Sequence, residues 1–443
     1  MFIFSNAMKR ITCSFVCLAS TLLVMAQEYY ERNFEFLGND SSASIMYHGG
    51  DSLQPLTGEY AIPDSVCYYG KNKIIKNILQ EGFYNQKYLT HIVFPRALEK
   101  IGQRAFEGCS NLDNILITPS IRYIAEDAFA GTNLSNVQVD VSNPHYDSRN
   151  NCNAVIDSKT NMLVIGSNVT LLPKSITAIG AFAFAGRKEL KKVLLPKNVQ
   201  RIGLEAFADC EELTSVEVEN AKGGADYGLT SIGDRAFSCC KKLRKIVLPS
   251  SLRTIGEESF ALCNNLKEIH IPMSVDSIGS LAFYGCGALE RITVDKNNSY
   301  YDSRNHCNAI IDTKTHCLIT GCKNTTIPHG VRTIGEGAFR EVKGLRKIII
   351  PEGVEEIHEF AFYGCKDLER LDLPSSVKVV DYGVFCECNN LNYVFINSSI
   401  PPDCHIETCE HINQVTLYVP KGCVEKYRKA EGWMNFGKIT EMK

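Results

Sequence analysis

IGQRAFEGCSNLDNILI, residues Ile101 to Ile117, decides the fold because the chain keeps repeating it. The same frame returns as IGLEAFADCEELTSVEV from Ile202, IGDRAFSCCKKLRKIVL from Ile232, IGEESFALCNNLKEIHI from Ile255 and IGSLAFYGCGALERITV from Ile278. It returns again as IGEGAFREVKGLRKIII from Ile334 and IHEFAFYGCKDLERLDL from Ile357. Further copies start at Ile124 and Ile179, with degenerate ones at Ile78 and Val380. Most steps are 23 residues (124 − 101, 202 − 179, 255 − 232, 278 − 255, 357 − 334). The step from 202 to 232 is 30, a small insertion around NAKGGADYG; those from 124 to 179 and from 278 to 334 are 55 and 56. Self-similarity at such a period is the signature of a stacked array.

Each unit makes physical sense as one coil. L-x-x-I-x-I-P alternates apolar and other residues, the period-2 pattern of a half-buried strand. Pro196, Pro249, Pro272, Pro351 and Pro374 end that strand, because proline offers no N–H to a ladder. The glycine after the isoleucine allows a tight bend. Ala105-Phe106, Ala206-Phe207, Ala282-Phe283 and Ala361-Phe362 supply a small-residue column and a phenylalanine spine. One coil cannot bury its own apolar face, whereas stacked neighbours can. Eleven anchors at about 4.8 Å per strand predict an array on the order of 50 Å long.

The pattern I-G-x-x-A-F-x-x-C-x-x-L-x-x-I-x-I-P resembles the BspA-type bacterial leucine-rich repeats of surface proteins. The resemblance covers about Ile78 to Ile396, and LYVPKGCVEKYRKAEGWMNFGKI (Leu417 to Ile439) is similar to that family's terminal cap. It implies a repeat solenoid: a leucine-rich-repeat-like, right-handed array of 23-residue coils, β-rich with short helical turns and two β-hairpin insertions. In function it implies adhesion to host proteins or to other cells. Trp433 and Phe436 are expected to cover the last coil's open apolar face. The expected organisation is 1–26 signal peptide, 27–77 N-terminal cap or spacer, 78–396 solenoid with insertions near 140–170 and 295–325, and 397–443 C-terminal cap.

The two long steps hold nearly the same line: YDSRNNCNAVIDSKT (Tyr146 to Thr160) and YDSRNHCNAIIDTKT (Tyr301 to Thr315), offset by a constant 155 (301 − 146). Two Asp, an Arg, an Asn and a Cys recurring together invite a catalytic reading. Architecture explains them better. CNAVID-SKT-NMLVIG and CNAIID-TKT-HCLITG read as strand, turn, strand, with Asp157 and Asp312 at the first turn position. Asp147 and Asp302 suit a local turn before the first strand.

Composition narrows the function classes. A net charge of -3 over 443 residues gives no basic field for nucleic acid. Lys9 and Arg10, an apolar run from Ile11 to Met25, and small residues before Gln27 read as a secretory signal peptide. The mature chain is expected to be secreted or at the cell surface, monomeric and without a membrane span. Of 19 cysteines, Cys109, Cys210, Cys240, Cys263, Cys286, Cys365 and Cys388 all follow the repeat Phe by three. They form one column with parallel side-chain vectors, so a buried thiol ladder is expected rather than disulfides. Cys404, His405, Cys409 and His411 lack a standard zinc spacing, and export favours a local disulfide or free thiols there. No G-x-S-x-G, H-E-x-x-H, P-loop or calcium-loop motif occurs. No catalytic residue, metal or cofactor is expected.

The strand face is the expected working surface, since it presents variable side chains on a rigid frame. Two residues after the repeat Leu stand Lys192, Lys245, Arg291, Lys347 and Arg370; four after it stands His270. These six are the candidate binding residues, in a strip of mixed basic and apolar character. The expected partner is a host extracellular protein or glycan-bearing macromolecule. The alternatives are an ordinary solvated face and a non-catalytic role in a surface assembly.

Overall fold

The computed structural model describes residues 34–38, 41–47, 55–68, 70–219, 228–405, 409 and 411–443. The signal segment and most of NAKGGADYG lie outside the described residues. The described residues fall into two compact units, divided between Lys159 and Thr160.

Every regular coil contributes two strands. One is the short strand ending at the repeat isoleucine; the other is the L-x-x-I-x-I strand. In the first unit the short strands pair in parallel, with Ile45, Ile78, Ile101 and Ile124 in register. The longer strands Gly58–Ala61, Leu89–Val93, Asn114–Ile117 and Asn136–Val139 form a second parallel sheet. Solenoid pairing therefore begins upstream of Ile78. Phe34–Gly38 and Ser42–Tyr47 form an antiparallel hairpin whose second strand is the first rung of the short ladder. In the second unit Leu163, Ile179, Ile202, Ile232, Ile255 and Ile278 form one short ladder. Leu318, Ile334, Ile357, Val380 and Cys404 form the next.

Between the strands, the A-F-x-x-C segment locks coil to coil. Phenylalanine rings stack face to face: Phe83 on Phe106 on Phe129 in the first unit, and Phe184, Phe207, Phe237, Phe260 and Phe283 in the second, with centroids 4.8–5.4 Å apart. The Phe N–H donates to the carbonyl of the next coil's Ala-position residue, as from Phe106 to Ala128 at 2.7 Å and from Phe237 to Ser259 at 2.7 Å. The cysteine column is buried and reduced. Its role goes beyond filling space. Each thiol donates to the Phe carbonyl of the preceding coil, for example Cys109 to Phe83 at 3.0 Å, Cys240 to Phe207 at 3.1 Å and Cys365 to Phe339 at 2.9 Å. A thiol is a weak donor, but it satisfies a buried carbonyl without the bulk of a larger polar group.

Burial pushes the thiols of Cys109, Cys210 and Cys388 up to about 12. At pH 8 that leaves roughly one thiol in ten thousand as the reactive thiolate. Native protein treated with iodoacetamide at pH 8 should therefore leave these three unmodified while the exposed Cys67 reacts. Peptide mass mapping reads this directly, and rapid labelling of the column would contradict it.

The bends differ from expectation in their cause. Gly256 does not adopt a left-handed φ; a Cβ there would lie 2.5 Å from the backbone of Gly233 and Asp234, so this glycine permits coils to touch. The sharp bends are chains of turns, and ordinary residues such as Arg104, Glu205, Arg235 and Glu258 carry the left-handed φ of 49–53°.

The doubled line ends one ladder and starts another. The Tyr146 hydroxyl accepts the Ile124 N–H at 3.1 Å, and Tyr301 does the same for Ile278 at 2.9 Å. A phenol thus takes the place of the missing next strand. Asn153 accepts the Val137 N–H at 2.5 Å, and Asn308 reaches Ile292 at 3.5 Å, so the longer strand is capped as well. Tyr301–Asp302 is itself a strand, antiparallel to Ile310–Asp312, which pairs antiparallel with Cys317–Thr320. That last strand then runs parallel to Thr333–Ile334 and so opens the next ladder. Of the turn expected over Tyr-Asp-Ser-Arg-Asn, Tyr301–Asp302 is a strand and the turn follows at Arg304–His306. Asp302 accepts the Arg304 amide at 3.1 Å and Asp147 the Arg149 amide at 3.0 Å, the local bonding expected of them. Asp312 accepts the Lys314 and Thr315 amides, the turn role expected of it.

At the C-terminal end, Trp433 and Phe436 are buried. Their rings stack at 5.7 Å, and Phe436 meets Phe385, the last phenylalanine of the repeat, edge-on at 6.4 Å. The indole N–H donates to the Pro402 carbonyl at 2.8 Å. Cys409 is bonded to Cys386, one 23-residue coil earlier, while Cys404, close to it in the chain, is buried. Among the described residues no three His, Cys, Asp or Glu side chains converge as metal ligands.

Candidate binding surface on the strand face

Alternation along each longer strand fixes what faces out. In Lys192–Leu195 the residues read exposed, buried, exposed, buried, and Glu268–Ile271 repeats the pattern. Register then sorts the outward side chains into two columns. In the second unit, one column runs Lys192, Ser215, Lys245; then Glu268, Arg291; then Lys347, Arg370, Tyr393, Thr416, Lys438. The other includes Leu194 and Glu217, His270 and Thr293, and finally Ile349, Asp372, Phe395, Tyr418 and Thr440.

The six candidate residues all lie on this face, but they do not form one basic strip. Lys192 and Lys245 are exposed on either side of Ser215. Arg291 stands opposite Glu268 in the neighbouring strand. His270 shares a hydrogen bond with Thr293 at 3.0 Å. Only Lys347 and Arg370 are brought together, and both turn to Asp372. The carboxylate lies 3.6 Å from the Lys347 ammonium and takes two bonds from the Arg370 guanidinium, at 2.6 and 3.0 Å. That guanidinium also lies 3.8 Å above the Phe395 ring, which stacks on Tyr418 at 4.4 Å. Two of the strip's cations are thus already engaged, so the face is less basic than its composition implies.

Counting from the repeat leucine stops short of Tyr393, Phe395 and Tyr418, because the coils after Asp372 are degenerate. Carrying the same offsets of two and four on to Leu391 finds Tyr393 and Phe395. The outward position four after the repeat leucine also carries large apolar side chains: Leu116 in the first unit is 45% exposed, and in the second Leu194 is 59%, Val247 41% and Ile349 58% exposed. Their inward neighbours Ile115, Val193, Ile246 and Ile348 are buried. The core is satisfied without the outward set.

The comparisons agree with this architecture. A crystal structure of a leucine rich cell surface protein from Faecalibacterium prausnitzii A2-165 is similar over 93% of this chain and 93% of its own, at 24% identity and a TM-score of 0.52. A leucine-rich repeat protein from Eubacterium ventriosum ATCC 27560 is similar over 92% and 82%, at 18% identity and a TM-score of 0.44. One from Bacteroides ovatus ATCC 8483 is similar over 92% and 87%, at 21% identity and a TM-score of 0.38. No curated protein sequence matches the chain. Among the described residues no helix is long and apolar enough to cross a membrane. Residues 76–169, 177–312 and 309–419 match the BspA type leucine rich repeat region in six copies, and the chain belongs to that family.

Proposed function

We propose that this chain is an exported, non-catalytic binding protein, secreted or held at the cell surface. Its strand face contacts a host extracellular protein or a glycan-bearing macromolecule. The observation that carries this reading is the set of exposed aliphatic side chains, Leu116, Leu194, Val247 and Ile349, that share one position of the coil with Glu217, His270, Thr293 and Asp372. Isolated surface hydrophobes need no explanation, but large aliphatic side chains that return at one outward position of several coils, beside polar and charged ones, suit a partner's mixed surface. Residues 1–26 supply the export signal in this reading, and the chain acts as a monomer.

Leu194 and Ile349 test it, because both point away from the core. Replacing both with glutamate should leave the melting midpoint within the small range of surface substitutions, about 0.5 kcal/mol. Binding of the purified protein to immobilised matrix proteins and mucin should fall at least about tenfold, since burying an unpaired carboxylate against a partner is costly. Undiminished binding by the double variant would remove the strand face from the reading. Sheet-like self-assembly without any ligand would favour a structural role in a surface assembly.

A further inference from the structure

The longer sheet of the first unit ends in an open strand edge. Asn136–Val139 is the last strand of the first unit's longer sheet and, among the described residues, pairs only with Asn114–Ile117. In a parallel pair, alternate residues turn both N–H and C=O to the same side. The Asn136 and Asp140 amides donate to Asp113 and Ile117, so Val137 and Val139 face the other way. Asn153 takes the Val137 N–H. The Val137 carbonyl and both backbone groups of Val139 remain on the open edge.

A groove of about 660 Å³ runs along that edge. One wall is the continuous segment Asn136–Val141; Asp147, Ser148, Arg149 and Asn151 contribute the other. The four strand residues Asn136–Val139 span about 13 Å, and the wall then turns at Asp140 and Val141. Asp147 and Arg149 neutralise each other through bonds of 2.5 and 2.7 Å. Burial works against the Asp147 carboxylate, yet Arg149 and Ser158 outweigh it and hold its pKa below the usual range. That wall therefore offers hydrogen bonds with little net charge, and the facing segment adds one carboxylate, Asp140, so the lining suits backbone amides better than an anionic ligand.

Two contrasts single out this edge. Exposed edges are normally blunted by charge or proline, and the C-terminal strand Lys438–Glu441 carries a lysine and a glutamate. Asn-Val-Gln-Val carries neither charge nor proline. In the second copy of the doubled line, Ser303 hydrogen-bonds the Ile292 carbonyl at 3.4 Å, the acceptor equivalent to that of Val137. The serine lies against the following cysteine in both copies, at 3.8 Å for Ser148–Cys152 and 3.7 Å for Ser303–Cys307. Among the described residues only Ser303 also bonds the strand carbonyl.

The geometry points to capture of an extended polypeptide segment of a partner protein, added as a strand beside Asn136–Val139. Main-chain bonds to Val137 and Val139 supply the affinity, and the neutral polar wall holds the segment in register. This mode is independent of the strand-face reading, because it uses the edge of the sheet.

The probe is a fluorescein-labelled peptide of residues Leu112–Pro119, the sequence that already pairs with this strand. The full chain should bind it saturably in fluorescence anisotropy, and a scrambled peptide should not bind. Val139→Pro deletes an N–H that bonds nothing within the unit and should weaken binding at least about tenfold at an unchanged melting temperature. Leu194→Glu should leave peptide binding intact, so failure of the edge and failure of the strand face are distinguishable. On the unsubstituted chain, hydrogen exchange at Val139 should slow when peptide is added, a readout that does not depend on the variant folding. Equal binding by Val139→Pro, or no protection of Val139, overturns the proposal. A neutral glycan retained by Val139→Pro but lost in Asn151→Ala would also overturn it, by assigning the groove to sugar.

Discussion

Replacing Phe237 with alanine should destabilise the second unit by about 3–5 kcal/mol, the range for deleting a fully buried ring. The ring lies between Phe207 and Phe260, 5.2 and 5.3 Å away and nearly parallel to both. It is 0% exposed. The substitution leaves the backbone lattice available, since the Phe237 N–H donates to Ser259 and its carbonyl accepts from Cys263 through main-chain atoms. What is lost is therefore apolar burial and two stacking contacts at once. In an array stabilised by nearest-neighbour interfaces, one deletion weakens the coupling on both sides. Chemical denaturation should show a lower midpoint and a broader transition as the flanking coils begin to unfold separately. Phe283→Ala provides the internal control. Phe283 stacks on Phe260 on one side, and the doubled line begins beyond it. It should cost about 1 kcal/mol less, roughly one aromatic pair. Equal losses at the two positions would mean that the spine is not the unit of coupling.

The columns behind this prediction are legible in the sequence because each has one job repeated at one period. Ile, Ala, Phe, Cys and Leu recur at fixed offsets, and only stacked coils give such offsets a common environment. Where a column residue changes type, sequence reasoning loses it. Arg187 stands three residues after Phe184, at the cysteine position, and a guanidinium reads as surface. The structure buries it completely, and its Nε donates to the Gly166 carbonyl at 2.7 Å. That bond does for the preceding coil what the thiols do elsewhere. The Cys386–Cys409 bond is illegible in the sequence for a related reason. A disulfide between neighbouring coils is visible only as a spacing equal to the period, and attention to the Cys-His cluster hides it. On the strand face, alternation is enough to say that Lys347 and Arg370 point outward. Their shared engagement with Asp372 requires cross-strand register as well. The apolar column needs burial on both faces to stand out, since exposed and buried aliphatics look alike in one dimension. The doubled line is legible as architecture, but its two capping side chains are not. A Tyr hydroxyl standing in for a strand depends on where the chain returns in space.

Gly321→Ala should be nearly as damaging as deleting a ring, although it adds a single carbon. Gly321 occupies the register of a spine phenylalanine: its N–H donates to Ala338 at 2.8 Å, as Phe339 donates to Ala361. A Cβ on Gly321 would lie 2.2 and 2.4 Å from two carbons of the Phe339 ring. That ring is fully buried and already stacked on Phe362 at 5.1 Å, so it cannot retreat without disturbing the next coil. Overpacking of this kind costs about 3 kcal/mol. Gly166 repeats the arrangement with its Cβ position 2.1 Å from Phe184, which is stacked on Phe207 at 4.8 Å. The steric cause can be isolated with a second substitution. Phe339→Leu alone should destabilise, but in the Gly321→Ala background it should recover part of the loss, giving a favourable coupling of about 1–2 kcal/mol between adjacent sites. Strictly additive losses would mean that the glycine is needed for its backbone rather than for the ring beside it. Recovery would show how the doubled line divides the array. Each copy exchanges one ring of the spine for bare backbone, so a new stack starts flat against a glycine while the old ladder ends on a tyrosine hydroxyl.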